Sequence, residues 1–282
     1  MTRTSGTAPA NAASRQPGPA RSPNRVRRCW QRDEAAIGTF VFSRDPDVTE
    51  IVGHAGMDFA IIDMEHAPLG IGEVSAHLRA ADAAGITGIV RLPGPDHGLM
   101  GKLLDAGASG LMLPHFGRDR EASKAFCSTL RYAPQGDRPS CTGVRAARFA
   151  LGSYAEHVAH SNADLIGIGL VEDIDALPNL DSLFDGAGLD AVMPGPGDLS
   201  TSMGLYGQPT HPRVREAVDV VIGGARRAGL RVGMYLNSPQ EIDDWKAAGL
   251  DFFVYLFDTK LLAATYASAT TLIRGRLAAG ST

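Results

Sequence analysis

Cysteine is scarce in this 282-residue chain, and its three positions show neither a disulfide framework nor a zinc site. Cys29, Cys127 and Cys141 lie far apart and lack the paired CxxC spacing of a structural zinc centre. We therefore expect reduced thiols, as in a cytoplasmic protein.

Long apolar runs are also missing. No stretch approaches the roughly 18 to 20 residues of a membrane-spanning helix, and no hydrophobic segment follows the N-terminal arginines as in a secretory signal. A net charge of -4 gives no reason to expect nucleic acid as a partner. The expectation is a cytoplasmic protein with no membrane or nucleic-acid partner.

Aliphatic residues are nearly absent from the first 34 positions, where seven arginines stand among Pro, Ala, Ser, Gly and Asn. Such a stretch cannot bury enough surface to offset its ordering entropy. We predict a disordered basic tail over residues 1–34. It is interpreted as a solubilising leader, with an arm for nucleic acid or membranes as the alternative.

From residue 38 onward, short apolar runs alternate with helical patterns such as 72–84 and 212–228. Nearly continuous apolar strands are typical of a parallel sheet covered on both faces, and amphipathic helices between them indicate βαβ units. The runs span residues 38–43, 58–64, 88–93, 110–114, 165–172, 191–196, 231–236 and 252–257.

Eight such units fit a single (β/α)₈ TIM barrel over residues 35–282, of the α/β class. An open doubly wound sheet is the alternative, but it usually has a glycine fingerprint after its first strand, and SRDPD at 43–47 is not one. We also predict that segment 131–164, which interrupts the rhythm, forms a loop and a helix over the barrel mouth.

Polar and ionisable residues gather after these runs, where a barrel enzyme carries its active site. Packing does not explain the cluster, because burial of unpaired charge is costly. Lysine is not among its members, which argues against chemistry through a lysine Schiff base. The members are Asp63, Glu65, His66, Arg91, Glu172, Asp173, Asp198, Asn237 and Asp258.

Glu172 and Asp198 are the best candidates for metal ligands. Carboxylates from adjacent strands, without cysteine or paired histidine, suit a hard cation such as Mg²⁺ or Mn²⁺. The same acids would also suit the first turns of helices, and spacing alone does not choose. The GPGD sequence at 195–198 either exposes backbone N–H groups to a carboxylate or forms a plain turn.

Three further residues have candidate roles. His66 is either a general base or a histidine bonded to its neighbours. Arg91, inside an apolar strand, must meet a carboxylate or face the site, so we favour a function. Asp105 lies on the apolar side of a predicted helix, which indicates a buried partner, with His66 as the candidate.

Taken together, the motifs closely resemble the HpcH/HpaI aldolase family over residues 35 to 277. They occur in the family's order, and the resemblance is more specific for the family than for a substrate. The motifs are IIDMEHAP (61–68), IVRLPG (89–94), KLLDAGASGLMLP (102–114), RYAPQGDR (131–138), LVEDIDAL (170–177), MPGPGDLSTSMG (193–204), HPRV (211–214) and DTKLL (258–262).

The resemblance implies a (β/α)₈ barrel whose last helix swaps between partners in a homo-oligomer, usually a hexamer. It implies class II, metal-dependent cleavage of 2-keto-4-hydroxy acids into pyruvate, or a similar 2-keto acid, and an aldehyde. The metal would be Mg²⁺ or Mn²⁺, with Co²⁺ as a further option.

The resemblance also implies residue roles. Glu172 and Asp198 would ligate the metal. The backbone N–H groups of Gly197 and Asp198, in the turn with Pro196, would hold the substrate carboxylate.

For the catalytic groups, the resemblance implies that His66 is the base or water-positioning group and that Asp105 orients it. Arg91 would bind the keto oxygen and stabilise the enolate.

The chain departs from the family at several positions. Leu170 stands where a glutamine is usual, and the stretch Tyr255, Leu256, Phe257 is bulky where small residues are usual. His115 after Pro114 is unusual as well. These departures indicate a reshaped acceptor pocket.

Two other functions remain as alternatives. The first is a biosynthetic family member that condenses an oxaloacetate or acyl-CoA donor, or decarboxylates. The second is an inactive barrel acting as a binding subunit, which the presence of all the candidate catalytic residues disfavours.

Overall fold

A computed structural model describes residues 23–186 and 188–279. Eight parallel strands, hydrogen-bonded in chain order, close into a barrel, so the predicted (β/α)₈ fold is confirmed. The strands are β1 Ala36–Val41, β2 Phe59–Asp63, β3 Thr87–Arg91, β4 Gly110–Leu113, β5 Ile166–Val171, β6 Ala191–Pro194, β7 Arg231–Leu236 and β8 Phe252–Phe257.

Helices connect the strands and cover the outside of the barrel. Among the described residues, none is both long and apolar enough to cross a membrane. The helices are α1 Arg25–Gln31, α2 Asp47–His54, α3 Ile71–Ala84, α4 His97–Ala106, α5 Arg120–Thr129, α6 Tyr154–Asp164, α7 Leu180–Phe184, α8 Pro196–Ser202, α9 Pro212–Arg227, α10 Ile242–Lys246 and α11 Asp258–Ala279.

The barrel interior is filled with side chains and is not a channel. Because successive residues of a strand point to opposite faces, alternate positions face the interior, and the others face the helices. Phe59, Ile61, Ile89 and Met112 belong to the interior cluster. A ligand can therefore reach the interior only at the mouth, where the strands end.

A disordered tail was predicted over residues 1–34, of which residues 1–22 lie outside the described residues. For the remaining part the prediction is wrong, because helix α1 forms there. Helix α1 closes the end of the barrel at which the strands begin, with Val26 and Trp30 buried. Arg25 Nε lies 2.7 Å from Asp58 Oδ1, and Arg27 also pairs with an acid that precedes a strand. The arginines that suggested disorder thus neutralise the carboxylates of the barrel floor.

Strand β8 carries a β-bulge just before the mouth. Gly38 of β1 pairs with Val254, but Phe40 pairs with Phe257, so one extra residue lies in β8. Within it, Leu256 adopts a φ of 51°, which for a non-glycine residue costs about 1–2 kcal/mol. The bulge turns Phe257 into the interior cluster.

Segment 131–164 lies beside the barrel floor rather than over the mouth, so that prediction is wrong. Its loop hydrogen-bonds to the last turn of α4, where the Ala146 N–H donates 3.1 Å to the Asp105 carbonyl. It also forms an ion pair between Arg145 and Asp82 near the end of α3. Helices run back from mouth to floor, so their last turns lie beside the strand starts.

Helix α11 extends from β8, and after Asp258 its described side chains are exposed apart from the half-buried Leu261. Leu262, Tyr266 and Ile273 are among its exposed large apolar residues. The exchange of this helix between copies stays a prediction.

Candidate active site

The turn after β2 brings two candidate residues to the mouth. Asp63, fully buried at the end of β2, accepts hydrogen bonds from the backbone N–H groups of Glu65 at 2.7 Å and His66 at 3.2 Å. Its short polar side chain replaces the partners that the backbone loses where the sheet ends. The turn is therefore fixed by a buried carboxylate.

Arg91, at the end of β3, is buried among opposite charges. Its Nη2 forms an ion pair with Asp63, and its Nη1 lies 3.2 Å from Glu65 Oε2. The guanidinium also lies over the Phe40 ring, 4.5 Å from its centroid. Arg91 thus meets carboxylates, the first of the two predicted alternatives, and its function in the site stays a prediction.

Glu172 follows β5 and is only 3% exposed. Burial raises the pKa of its carboxyl to about 7, the His115 contacts lower it, and the charges of Asp198 and Glu65 raise it further. The His115 backbone N–H donates to Oε1 at 2.8 Å. A Cβ on Gly195 would come within 2.9 Å of the Glu172 Cβ, so glycine there leaves room for the carboxylate.

His115 is a site residue to which sequence reasoning assigned no role. It follows β4 with a φ of 51°, a conformation that non-glycine residues rarely adopt. Its Nδ1 lies 2.9 Å from Asp173 Oδ2, and its Nε2 lies 3.7 Å from Glu65 Oε1. Desolvation lowers the pKa of the imidazole, but the Asp173 hydrogen bond and the nearby charges of Glu172, Asp173 and Glu65 outweigh it, so the pKa is raised.

Glu65, His115 and Glu172 converge. They offer ligand atoms that all lie within 4.8 Å of one another. Glu65 Oε2 is buried and accepts no hydrogen bond, although Arg91 is within ion-pair distance. Desolvation raises the pKa of Glu65, against the lowering effect of Arg91. We refer to these three residues as the acidic cluster.

Asp198 lies in the first turn of α8, exposed, and close enough to Glu172 for its charge to raise the pKa of that carboxyl. Among the described residues, the ligand atoms that converge with those of Glu172 belong to Glu65 and His115, so the pairing of Glu172 with Asp198 as ligands stays a prediction. Glu65 was already among the residues expected at this end of the barrel, although without a role, and His115 could have been found from its place directly after the predicted run 110–114.

The structure separates His66 from Asp105, so the predicted pair is wrong within one chain. His66 is at the mouth with its side chain 59% exposed, and its Nε2 lies 3.7 Å from Glu65 Oε2. Asp105 lies in the last turn of α4, near the floor, and its Oδ1 accepts from Arg138 Nη2 at 3.2 Å. The helix pattern correctly predicted which side of α4 faces the protein. It did not show that Asp105 lies at the floor end of the barrel rather than at the mouth.

The GPGD turn starts α8 at the mouth. Pro196 is the first residue of the helix, and Gly195 precedes it. Gly197 and Asp198 are exposed, and a Cβ on Gly197 would meet no atom within 4 Å. The N–H groups of a first helical turn have no partner within the helix, so this turn can receive an anion.

Opposite the acidic cluster, the mouth is aromatic. The rings of Phe42 and Phe257 are stacked, with centroids 4.8 Å apart and planes 5° from parallel. Phe40 lies 6.5 Å from Phe42 and 6.4 Å from Tyr235, measured between ring centroids. Phe42, Tyr235 and Phe257 are partly exposed and pack against the interior cluster. We call these three residues the aromatic wall.

Comparison with known proteins identifies relatives over most of the chain. The sequence model of the HpcH/HpaI aldolase/citrate lyase family matches residues 36–264. A 2-dehydro-3,6-dideoxy-6-sulfogluconate aldolase of Pseudomonas putida is 29% identical over 88% of this chain and 96% of its own. A hydroxypyruvate/pyruvate aldolase of Sagittula stellata is 30% identical over 85% of this chain and 93% of its own.

A solved structure shows the same architecture. The crystal structure of an HpcH/HpaI aldolase from Desulfitobacterium hafniense superposes with a TM-score of 0.81 and 28% identity. The match covers 88% of this chain and 96% of that one. The similarity thus extends over the whole barrel.

Proposed function

The chain belongs to the HpcH/HpaI aldolase/citrate lyase family and is a carbon–carbon lyase of the aldolase type, and we propose that it joins or splits the enolate of pyruvate, or a similar 2-keto acid, and an aldehyde with the help of a divalent cation. The observation that carries the proposal is the convergence of the acidic cluster at the barrel mouth.

The donor set fits a cation. Glu65 Oε2 is buried without a hydrogen bond, and burial raises the pKa of Glu172 to about 7. The Arg91 ion pair and the His115 N–H donor compensate these two carboxyls only in part, and a buried negative charge needs more. We infer that Glu172 and Asp198 hold the cation, and that Glu65 and His115 are additional donors.

His115 is suited to such a role by its second contact. With its Nδ1–H donated to Asp173 at 2.9 Å, the Nε2 lone pair faces the cluster. Ligating histidines commonly donate their other ring N–H to a carboxylate in this way. A nitrogen donor would favour Mn²⁺ or Co²⁺ over Mg²⁺.

Stabilisation of the enolate is the difficult part of the reaction. The bound cation would act as a Lewis acid on the keto acid. Arg91 supplies a fixed positive charge next to the cluster, held by Asp63 and Glu65 so that it does not have to reorganise. Its proposed role is to bind the keto oxygen as negative charge develops.

Binding of the substrate carboxylate is assigned to the start of α8. The N–H groups of Gly197 and Asp198 are in its first turn, after Pro196, and the open space at Gly197 admits a ligand close to the backbone. This contact would orient the keto acid towards the acidic cluster.

His66 is proposed as the base. Its exposed imidazole, beside Glu65, can take the proton of the C4 hydroxyl during cleavage and return a proton to the enolate carbon, which gives pyruvate. In the synthetic direction it would remove a proton from the pyruvate methyl group. Asp105 has no part in this proposal, because within one chain it lies near the floor.

The test is exchange of the pyruvate methyl protons in D₂O, followed by mass spectrometry. We expect exchange with Mg²⁺ or Mn²⁺ and none after EDTA treatment, together with release of pyruvate from 4-hydroxy-2-oxo acids. Full activity after metal removal would contradict the role of the cation. An enzyme that condenses only other donors would instead support the biosynthetic alternative, which Leu170 motivates.

A second measurement addresses the donor set. His115→Gln should weaken Mn²⁺ binding by about tenfold or more in calorimetry, and should change the visible spectrum of the Co²⁺ form. His54→Gln, at the end of α2, is the control. Unchanged Mn²⁺ affinity and Co²⁺ spectrum would remove His115 from the set, and absence of any metal binding would favour an inactive binding subunit.

The proposal extends to the oligomeric state and the cellular location of the protein. The exposed apolar residues of α11 support a homo-oligomer, with a hexamer and an exchanged last helix expected from the family. A cytoplasmic location and a small 2-keto acid with an aldehyde as partners complete the proposal.

A further inference from the structure

We propose that the aromatic wall binds the acceptor aldehyde, and that this acceptor is an aromatic or branched apolar aldehyde rather than a polyhydroxylated one. The inference rests on the proposed aldolase reaction and adds a substrate class to it. It assigns specificity to Phe42, Tyr235 and Phe257.

The wall adjoins the reaction centre through a chain of contacts. Arg91, which contacts Glu65 of the acidic cluster, lies 4.5 Å from the centroid of the Phe40 ring. Phe40 is in turn 6.5 Å from Phe42 and 6.4 Å from Tyr235. A keto acid bound beside Arg91 would therefore lie near the wall.

The bulge in β8 brings Phe257 into the aromatic wall and places Leu256 in an unfavourable backbone conformation. Without the extra residue, strand alternation would point Leu256 into the interior and Phe257 away from it. Instead, Phe257 pairs with Phe40 and stacks on Phe42, while Leu256 takes a positive φ. Bulges near active sites commonly re-aim a side chain in this manner. Packing alone does not require this arrangement, because the ring stays partly exposed.

The wall is also held in position. Asp258, buried at the start of α11, accepts hydrogen bonds from the backbone N–H groups of Phe42 and Ser43, each at 2.9 Å. The same carboxylate accepts from the Thr259 N–H at 2.7 Å. One side chain thus ties the segment after β1 to the end of β8, and fixes the two stacked rings relative to each other.

The chemistry of the wall selects the acceptor. Hydroxyl groups packed against Phe42 and Phe257 would lose water without gaining hydrogen bonds, which is unfavourable for each group. Desolvation and the nearby charges of Glu241 and Tyr255 raise the pKa of the Tyr235 hydroxyl, so this side chain stays neutral. Lys260 lies at the rim of the wall, with its Nζ 5.8 Å from the centroid of the Phe257 ring. The same ammonium group donates a hydrogen bond to Asn237 Oδ1. An aldehyde with an apolar body is the ligand that fits.

The experiment compares two acceptors with pyruvate as donor. We expect benzaldehyde to exceed D-glyceraldehyde in kcat/KM by about tenfold or more. Phe257→Leu and Phe42→Leu should each lower the value for benzaldehyde by about tenfold more than the value for D-glyceraldehyde. Phe149→Leu, an exposed phenylalanine away from the mouth, is the matched control.

Two outcomes would overturn the proposal: a wild-type preference for D-glyceraldehyde, or an equal loss for both acceptors in the wall variants. Failure of the aldolase reaction itself is recognised separately, by the absence of pyruvate exchange. In that case saturation-transfer NMR with benzyl alcohol decides. Binding that Phe257→Leu abolishes supports the pocket, and no binding to the wild type refutes it.

Discussion

The two halves of the barrel mouth offer a ligand opposite environments. The acidic cluster, at the ends of β2, β4 and β5, presents two carboxylates and an imidazole. The aromatic wall, at the ends of β1, β7 and β8, presents stacked and tilted rings. Arg91 stands at the boundary, with ion pairs on one side and Phe40 on the other.

The two halves also differ in their effect on stability. Burial of Glu172 disfavours its charged form, so the acidic cluster opposes folding at neutral pH when no cation is bound. The aromatic wall removes apolar surface from water and therefore stabilises the fold. The difference indicates that reactivity is concentrated in one half and acceptor choice in the other.

The largest effect is expected from removal of a carboxylate of the metal site. Glu172→Ala or Asp198→Ala should lower turnover by about 10³-fold or more, because stabilisation of the enolate is lost. Circular dichroism should show an intact fold. Glu121→Ala, an exposed acid on α5, is the control. If either site variant keeps wild-type turnover, the claim that reactivity is concentrated in the acidic half of the mouth is refuted.

The next effect concerns stability and its dependence on pH. The pKa of the Glu172 carboxyl is raised from 4.5 to about 7, so the native state loses stability as pH rises between these values. Without metal, Glu172→Gln should therefore raise the free energy of unfolding at pH 8, by about 3 kcal/mol at most. Urea unfolding at several pH values measures it. The gain should shrink towards pH 5, and a gain independent of pH would show that the buried charge of Glu172 is not its cause.

The same shift predicts how metal binding depends on pH. Protons compete with the cation for Glu172, so affinity should fall as pH decreases below about 7. Calorimetry in buffers of different ionisation enthalpy should show proton release on binding at pH 6. Binding without proton release there would place the cation away from this carboxylate.

A smaller effect is expected from the base. His66→Ala should slow exchange of the pyruvate methyl protons by about 10²-fold, while Mn²⁺ affinity stays unchanged, because the imidazole is exposed and is not needed for the cluster. His160→Ala, on α6, controls for the loss of a partly exposed histidine. Unchanged exchange would exclude His66 as the base.

The smallest effect is expected from a substitution of Leu170, where the barrel interior meets the mouth. Leu170 belongs to the interior cluster, and its Cδ1 lies 3.5 Å from a Cβ built on Gly195. Leu170→Gln restores the amide usual in the family below Glu172, and should change kcat/KM for any acceptor by less than about tenfold. A full exchange of acceptor preference would show that this departure, rather than the aromatic wall, sets the substrate range.

Prediction from sequence succeeded for elements that depend on periodicity. The eight strands lie within a few residues of their predicted ranges, and helices 72–84 and 212–228 are observed as Ile71–Ala84 and Pro212–Arg227. It failed where a distant partner decides the outcome. Helix α1 forms because its arginines meet the acids of the barrel floor, which composition cannot show.

The amino-acid sequence by itself determined the barrel, the family, and the end of the barrel at which polar side chains gather, because strand alternation and motif order are local properties of the chain. Only the tertiary structure decided which of these side chains meet. In the fold, Glu65 and His115 lie beside Glu172, and Asp105 lies near the floor. A bulge in β8 directs Phe257 towards the interior. These contacts join strands far apart in the chain, and their geometry depends on register and helix direction rather than on residue type.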